Sequence, residues 1–307
     1  MNAGDVKKRL LGLQEIIPPE QILWDEPMRN HTSFRIGGPA DALLMPRDPE
    51  ELARVIRYCR EFAVPYYVIG QGTNLLVRDG GVRGAVIKLA SPLDNITFQG
   101  MRAEAGAGAT LRELCRQAME RGLSGLEFAC GIPGSVGGAV CMNAGAYDGE
   151  MKDVVVSARV LDENGSIEVW DAERLGFGYR SSALQGRQAV ILSAAFLLKP
   201  DNPEAIRERM EDYDRRRRAR QPLDLPSAGS VFRRPPGRFV GPMIEELGLK
   251  GYRVNDAQVS EMHAGFIVNR GQARAADVLR LVEIIREKVM EKFQVWLELE
   301  IKVIGEE

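Results

Sequence analysis

The sequence predicts a mixed α+β chain made of more than one packed unit, and three observations carry that reading. At 307 residues the chain is about twice the ~150 residues of a typical single domain. From Tyr66 onward, short apolar runs are punctuated by glycines, with one helical pattern among them. Beyond Pro226 a short helix, a strand, a long amphipathic helix and an alternating strand follow in succession.

Each element has a local cause. A short amphipathic stretch at the start is ended by Pro18-Pro19. The clearest helix follows at 49–59: Asp48 is a capping residue, Pro49 suits the first turn, and Glu50 and Glu51 suit the positive end of the dipole. Within it Leu52, Val55, Ile56 and Cys59 recur at helical spacing. Strands are predicted over 66–69, 84–89, 101–105, 153–161, 167–170 and 189–198, and Asn164-Gly165 predicts a hairpin with a type I′ turn. Thr110 and Glu113 form a capping-box pattern before a helix over 111–120, which Gly122 stops. Asn202 and Pro203 open a helix that runs into an arginine cluster, Arg215 to Arg218 with Arg220, after which Pro222 and Pro226 break the chain. In the last part a helix is predicted near 242–247, a strand at 266–268, a helix over 275–293 and a final strand over 295–304. Val278, Leu281, Val282, Ile285 and Val289 stripe the long helix, while Leu297, Leu299, Ile301 and Val303 alternate with Glu298, Glu300 and Lys302. The expected division is an N-terminal α+β unit (1–65) packing with a central domain (66–220), then a smaller α+β C-terminal domain (221–307).

Composition excludes several classes. The 41 basic and 43 acidic residues leave a net charge of −2, which gives no general field for attracting nucleic acid, so an anionic ligand needs a local site. Cys59, Cys115, Cys130 and Cys141 fall in no CxxC spacing and have no histidine beside them, so no metal site is expected. They read as reduced thiols of a cytoplasmic protein. No stretch approaches the ~18 apolar residues of a membrane span, and charges interrupt residues 1–14, where a signal peptide would be apolar.

Two glycine-rich loops stand out. The first, Gly70-Gln71-Gly72-Thr73-Asn74-Leu75-Leu76, follows an apolar strand and reads equally as an anion-binding loop or a tight turn. It is neither a dinucleotide-binding GxGxxG fingerprint nor a P-loop. The second runs from Gly131 through Ile132, Pro133, Gly134, Ser135, Val136, Gly137, Gly138 and Ala139 and continues to Asn143, Gly145 and Tyr147. Packing alone rarely asks for so many small residues; they suit backbone amides reaching a diphosphate beside a slot for a flat ring.

Six motifs occur in one order: Asn30-His31-Thr32-Ser33-Phe34-Arg35-Ile36-Gly37-Gly38, the two glycine loops, Phe177-Gly178-Tyr179-Arg180-Ser181-Ser182, Pro226-Ser227-Ala228-Gly229-Ser230-Val231-Phe232, and Leu297-Glu298-Leu299-Glu300-Ile301-Lys302. Together they resemble the UDP-N-acetylenolpyruvoylglucosamine reductase family over nearly the whole chain. That resemblance implies a central FAD-binding domain of the vanillyl-alcohol-oxidase-like type with a C-terminal substrate domain whose last strand returns to the active site. It implies noncovalent FAD, NADPH as reductant, and a UDP-sugar enolpyruvyl ether reduced to UDP-N-acetylmuramate for peptidoglycan. The short stretch 182–191 leaves no room for an extra tyrosine-bearing loop, which resembles the second subgroup.

Carried onto this chain, the resemblance makes Arg180, Ser230 and Glu300 the catalytic residues. Arg180 and a protonated Glu300 would stabilise an enolate formed when hydride adds to the enolpyruvyl group, and Ser230 would donate the proton. Gly70, Gly72, Thr73, Asn74 and Leu75, with Gly131, Pro133, Gly134, Ser135, Gly137, Gly138, Asn143 and Gly145, would hold the cofactor. Tyr147 and Arg220 would contact the substrate, Arg220 near its diphosphate. Taken singly, Arg180 reads as a surface ion-pair partner, Ser230 as a turn or capping serine and Glu300 as part of an exposed face. A different flavin oxidoreductase leaves Ser230 and Glu300 unexplained, and a silent nucleotide-sugar-binding protein needs no proton donor.

Outside the motifs, the arginine run reads as a solvated helix end or a phosphate site. His31 and His263 read as structural hydrogen-bonding residues. Asn255, Asp256, Met262 and Pro242 depart from the family's usual pattern and leave the details of substrate-domain contacts open.

Overall fold

A computed structural model describes residues 3–89 and 93–307. The chain forms two units: Met1–Leu23 with Leu43–Gln71 and Ala85–Arg217, and Trp24–Ala42 with Gly72–Gly84 and Arg218–Glu307.

The first unit is organised by a five-stranded antiparallel sheet in the order Ile167–Asp171, Val155–Leu161, Val190–Leu197, Arg102–Gly106, Ile96–Gln99. Its central strand Val190–Leu197 is buried at every residue but the last, which is why it reads as an unbroken apolar run. Beside this sheet the strand Tyr66–Ile69 pairs in parallel with residues 85–88. The helix Pro49–Glu61 starts as predicted: the Asp48 side chain accepts from the Glu51 amide at 2.6 Å, and Leu52, Val55, Ile56 and Cys59 face inward.

Two turns differ from expectation. The loop after Leu161 is not type I′, because Gly165 has φ of 82° but Asn164 stays out of the left-handed region. The Asp162 side chain instead accepts from the amides of Asn164 and Ser166 at 2.9 and 2.8 Å, holding a wider turn that glycine closes. At the helix Leu111–Glu120 only half of the capping box forms. Thr110 accepts from the Glu113 amide at 3.2 Å, whereas the Glu113 carboxylate turns outward to Arg116 at 2.9 Å and Gln117 at 2.8 Å.

In the second unit the helices Val240–Glu246 and Ala275–Phe293 pack with an antiparallel meander, Arg253–Val254, Ala257–Val259 and Ile267–Asn269. Val278, Leu281, Val282, Ile285 and Val289 are each at most 2% exposed, so the predicted stripe is the core face; Phe34, Leu76, Val259, Leu297 and Ile301 share its cluster. Pro242 lies in the first turn of its helix, where no intrahelical donor is lost. Asn255 turns between two strands at φ 48° and its amide holds Asp277 at 2.8 Å, while Asp256 accepts from the Gln272 amide at 2.8 Å. Both departures from the family pattern therefore carry structural bonds. Met262 is 52% exposed.

The predicted final strand is corrected in extent. A ladder forms only at Lys302–Ile304, parallel to Leu75–Val77, and residues 295–301 are tied instead by a single bridge between Leu299 and Phe232 and isolated backbone bonds. Alternation marks which side chains turn inward; a ladder also needs a contiguous partner. No helix among the described residues is long and apolar enough to cross a membrane.

Asp79, in the turn after Leu75–Val77, caps the long helix from 196 residues away: its carboxylate accepts from the amides of Ala275 at 2.9 Å and Ala276 at 3.0 Å. Substituting a capping carboxylate typically costs about 1–2 kcal/mol. Asp79→Ala is expected to lower stability by about that amount, and Asp79→Asn by less. The midpoint of urea unfolding at unchanged slope reads this out, and an unmoved midpoint for Asp79→Ala would remove the cap from the account.

Candidate active site

In the first unit the second glycine loop is folded by its own close contacts. A Cβ on Gly137 would lie 2.8 Å from the Cβ of Ala107, one on Gly145 2.5 Å from the Gly149 carbonyl oxygen, and one on Gly70 2.2 Å from the Ser135 hydroxyl. The amides of Val136 and Gly137 are already committed, to the carbonyls of Ala109 at 2.8 Å and Ala107 at 2.9 Å. The loop is therefore rich in small residues partly because chain packs on chain, contrary to the expectation that packing rarely asks for them. Gly138 is different. It is exposed, and a Cβ there would meet nothing nearer than the Ser135 hydroxyl at 3.6 Å. Gly134 has φ of 142°, where any side chain is strained.

Past the short helix Val136–Cys141 the backbone is unusual, with Asn143, Tyr147 and Asp148 at φ of 44°, 51° and 67°. Non-glycine residues hold such angles only when their surroundings over-determine them. Asn143 is fully buried; its amide nitrogen donates to Glu150 at 2.7 Å and to the Gly178 carbonyl at 2.9 Å, and its oxygen accepts from the Lys152 amide at 2.9 Å. Arg180, also left-handed at φ 51°, sits on a tight 178–181 turn and donates to the Gly145 carbonyl at 2.9 Å. Asn143, Gly145 and Arg180 thus form one connected group, and Arg180 is half-buried.

The helix Pro203–Arg218 supplies a neighbour that sequence reasoning missed. Tyr147 stacks on Tyr213 with ring centres 4.4 Å apart and donates to the Tyr213 carbonyl at 2.9 Å. One turn on, Arg217 turns inward to the Gly131 carbonyl, while Arg215 and Arg216 stay on the solvated face and pair with Asp212 at 2.9 and 2.6 Å. Burial pushes the Arg217 guanidinium below the ordinary arginine range, although Tyr147, Asp214 and Cys130 oppose that shift. The available signal was the i,i+4 spacing from Tyr213. Arg220 is exposed beyond the helix end.

In the second unit the segments carrying Ser230 and Glu300 run side by side. Ser230 bridges Phe266, and the next residue, Val231, donates to the Gly265 carbonyl at 2.9 Å and accepts from the Glu300 amide at 2.8 Å. Asn74, of the first glycine loop, clamps this arrangement: its side chain donates to the Glu300 carbonyl at 3.0 Å, and its own carbonyl accepts from the Lys302 amide at 2.9 Å. Gly72, at φ 65°, has its Cβ direction filled by the His31 carbonyl at 2.1 Å and accepts from the Ser33 amide at 3.2 Å. Ser33 in turn donates to the Ser227 carbonyl at 2.6 Å, tying the 30–38 motif to the turn before Ser230. Glu300 is half-buried, unlike Glu298, whose side chain is 71% exposed.

Known families match two stretches of the chain. Residues 40–170 match a family described as an FAD binding domain, and residues 221–304 match one described as the C-terminal domain of UDP-N-acetylenolpyruvoylglucosamine reductase. The chain is 50% identical over 301 residues to the UDP-N-acetylenolpyruvoylglucosamine reductase of Clostridium botulinum, covering 98% of each. Against that of Syntrophomonas wolfei the identity is 50% over 293 residues, 95% of this chain and 98% of the relative. It resembles the crystal structure of UDP-N-acetylenolpyruvylglucosamine reductase from Thermus caldophilus with a TM-score of 0.80 at 41% identity, over 92% of this chain and 98% of that one.

The glycine contacts separate two neighbours in one helix. Gly137→Ala forces its Cβ onto Ala107 and is expected to cost about 1–3 kcal/mol. Gly138→Ala adds a methyl group in open space and is expected to be neutral or to stabilise by up to about 1 kcal/mol. Thermal unfolding of the two variants distinguishes them, and equal destabilisation would show that the open space at Gly138 is misassigned.

Proposed function

The chain belongs to the UDP-N-acetylenolpyruvoylglucosamine reductase family, and from that premise we propose that it uses NADPH and noncovalently held FAD to reduce UDP-N-acetylglucosamine enolpyruvate to UDP-N-acetylmuramate, with Ser230 as proton donor. It is an oxidoreductase with an FAD-binding domain. The residues present fit that cofactor, because the second glycine loop offers an exposed, unobstructed Gly138 among otherwise packed small residues. We assign cofactor binding to that loop and to Thr73 and Asn74. When bound, FAD would supply the two-electron redox chemistry between NADPH and the enolpyruvyl group.

What remains is charge and proton management by side chains. Hydride addition leaves negative charge on the enolate and adjoining carboxylate of the substrate, and Arg180 would meet it with a guanidinium carried by a turn that the Gly145 carbonyl fixes. Glu300 can stabilise the same charge only as a neutral carboxyl that donates a hydrogen bond. Ser230 would then protonate the carbon beside the carboxylate. A hydroxyl is a weak acid, and it serves here because the enolate is a strong base.

The observation that supports the serine role best is its fixed placement beside Glu300, through the 2.8 Å bond from the Glu300 amide to the Val231 carbonyl. Tyr147 and Arg220 are assigned to the substrate, with residues 221–307 as the substrate-binding part. The free thiols of Cys59, Cys115 and Cys130 support a cytoplasmic setting.

Stopped-flow kinetics of Ser230→Ala test the assignment by separating the two half-reactions. NADPH should reduce the flavin at close to the normal rate, while anaerobic reoxidation by the enolpyruvyl substrate should slow by about 10²–10⁴. Ser230→Cys, nearly isosteric and more acidic, should recover part of that loss. Slowed flavin reduction, or unchanged reoxidation, in Ser230→Ala would return Ser230 to the role of an ordinary turn residue.

A further inference from the structure

The reaction as proposed leaves His263 unused, yet this half-buried ring shapes the turn against which Ser230 is held. Its Nδ1 accepts from the Gly265 amide at 3.1 Å, and its ring stands edge-on to Phe266 with centres 4.8 Å apart. The Ser260 hydroxyl accepts from the amides of Met262 and His263, both at 3.2 Å, and the Phe266 amide donates to the His263 carbonyl at 2.9 Å. A Cβ on Gly265 would come within 3.0 Å of the imidazole, so the backbone lies directly under the ring. Both residues of this turn then reach the catalytic segment: the Gly265 carbonyl accepts from Val231 at 2.9 Å, and Phe266 bridges Ser230.

We propose that His263, in the neutral form with its proton on Nε2, is a positioning residue for Ser230, and that protonation of its Nδ1 disables the turn. A protonated Nδ1 is a donor facing the Gly265 N–H, so the bond that orders the turn becomes a repulsion of like dipoles. The Ser230 hydroxyl then loses the fixed direction that proton delivery to carbon requires. The inference rests on the reading of Ser230 as the acid.

The surroundings favour the neutral ring. Burial moves His263 below the ordinary histidine range against a hydrogen bond to its own backbone, which favours the charged ring; of the charges acting on it, Glu245 also pulls that way and Lys250 adds to the downward shift. Glu245 and Lys250 are themselves paired at 2.9 Å, which leaves little net charge at the ring. A group with a depressed folded value is neutral at ordinary pH and gains its proton only on acidification. The positioning bond is thus intact at neutral pH and is lost as pH falls through the lowered value.

The test uses the purified holoenzyme with its flavin photoreduced, so that the result does not depend on NADPH, mixed anaerobically with UDP-N-acetylglucosamine enolpyruvate across the histidine range. In the wild type, reoxidation should slow as pH falls. His263→Ala should be slower by about ten- to a hundredfold at neutral pH, the cost of a misplaced reacting group, with the gap closing as the wild type loses the bond on acidification. His263→Asn should recover most of that loss, because a carboxamide oxygen accepts from the amide two residues on, as in an Asx-turn. Since asparagine does not titrate, the acid fall should vanish in this variant. A wild-type rate in His263→Ala, or a His263→Asn variant with the wild-type acid fall, would overturn the proposal. Failure of the Ser230 reading shows separately, in Ser230→Ala, where His263 is intact.

Discussion

The second unit depends on a run of hydrogen bonds only a few residues long. His263 accepts from Gly265, Gly265 from Val231, Val231 from Glu300, and Glu300 from the Asn74 side chain, at 3.1, 2.9, 2.8 and 3.0 Å. Four segments far apart in sequence meet there, and of these only the Asn74 and Glu300 segments run on into a ladder, the three-residue pairing of Leu75–Val77 with Lys302–Ile304. The shortness of that ladder explains why side chains serve as the end clamps. A strand register is ordinarily held by many equivalent bonds, whereas here Asn74 and His263 supply the outermost ones. It also explains the strong placement of polar residues in a unit otherwise built on the apolar face of the helix Ala275–Phe293.

A different constraint governs the first unit. Its glycine-rich loop must satisfy the sheet and its own hairpin before it can serve any ligand. Gly137 yields to Ala107 and Gly145 to Gly149, while the carbonyl of Gly145 is occupied by Arg180. Positive φ at Asn143, Tyr147 and Arg180 concentrates conformational cost in the same place. Strain of that kind persists where the surroundings hold it, here the buried amide of Asn143 and the stack of Tyr147 on Tyr213. The cofactor assignment therefore leans on fewer positions than glycine content alone suggests.

How much of this was legible varies with the range of the interactions. The helices Pro49–Glu61 and Ala275–Phe293 were readable because capping and periodicity act within a few residues. The Asp79 cap was not, since its partners lie 196 and 197 residues away. Likewise nothing local says that Ala107 excludes a side chain at Gly137. The Asn164-Gly165 turn was misread because the Asp162 side chain, outside the dipeptide, decides its geometry. In the arginine run each residue is alike until Tyr213, four positions back, marks which one faces inward. The candidate site was visible as an order of motifs, through their resemblance to a family. The bonds that connect Ser230, Glu300 and Asn74 follow from tertiary pairing that no local pattern encodes.

The central claim is that Ser230 and Glu300 are held in register by this short cooperative run. Residue-resolved amide hydrogen exchange tests it most directly, because cooperative units open together. The account predicts that the amides of Val231, Gly265, Glu300 and Lys302 share one slow exchange rate, well below that of the exposed turn around Gly237. A Glu300 amide that exchanges as fast as that turn while Lys302 remains protected would contradict it.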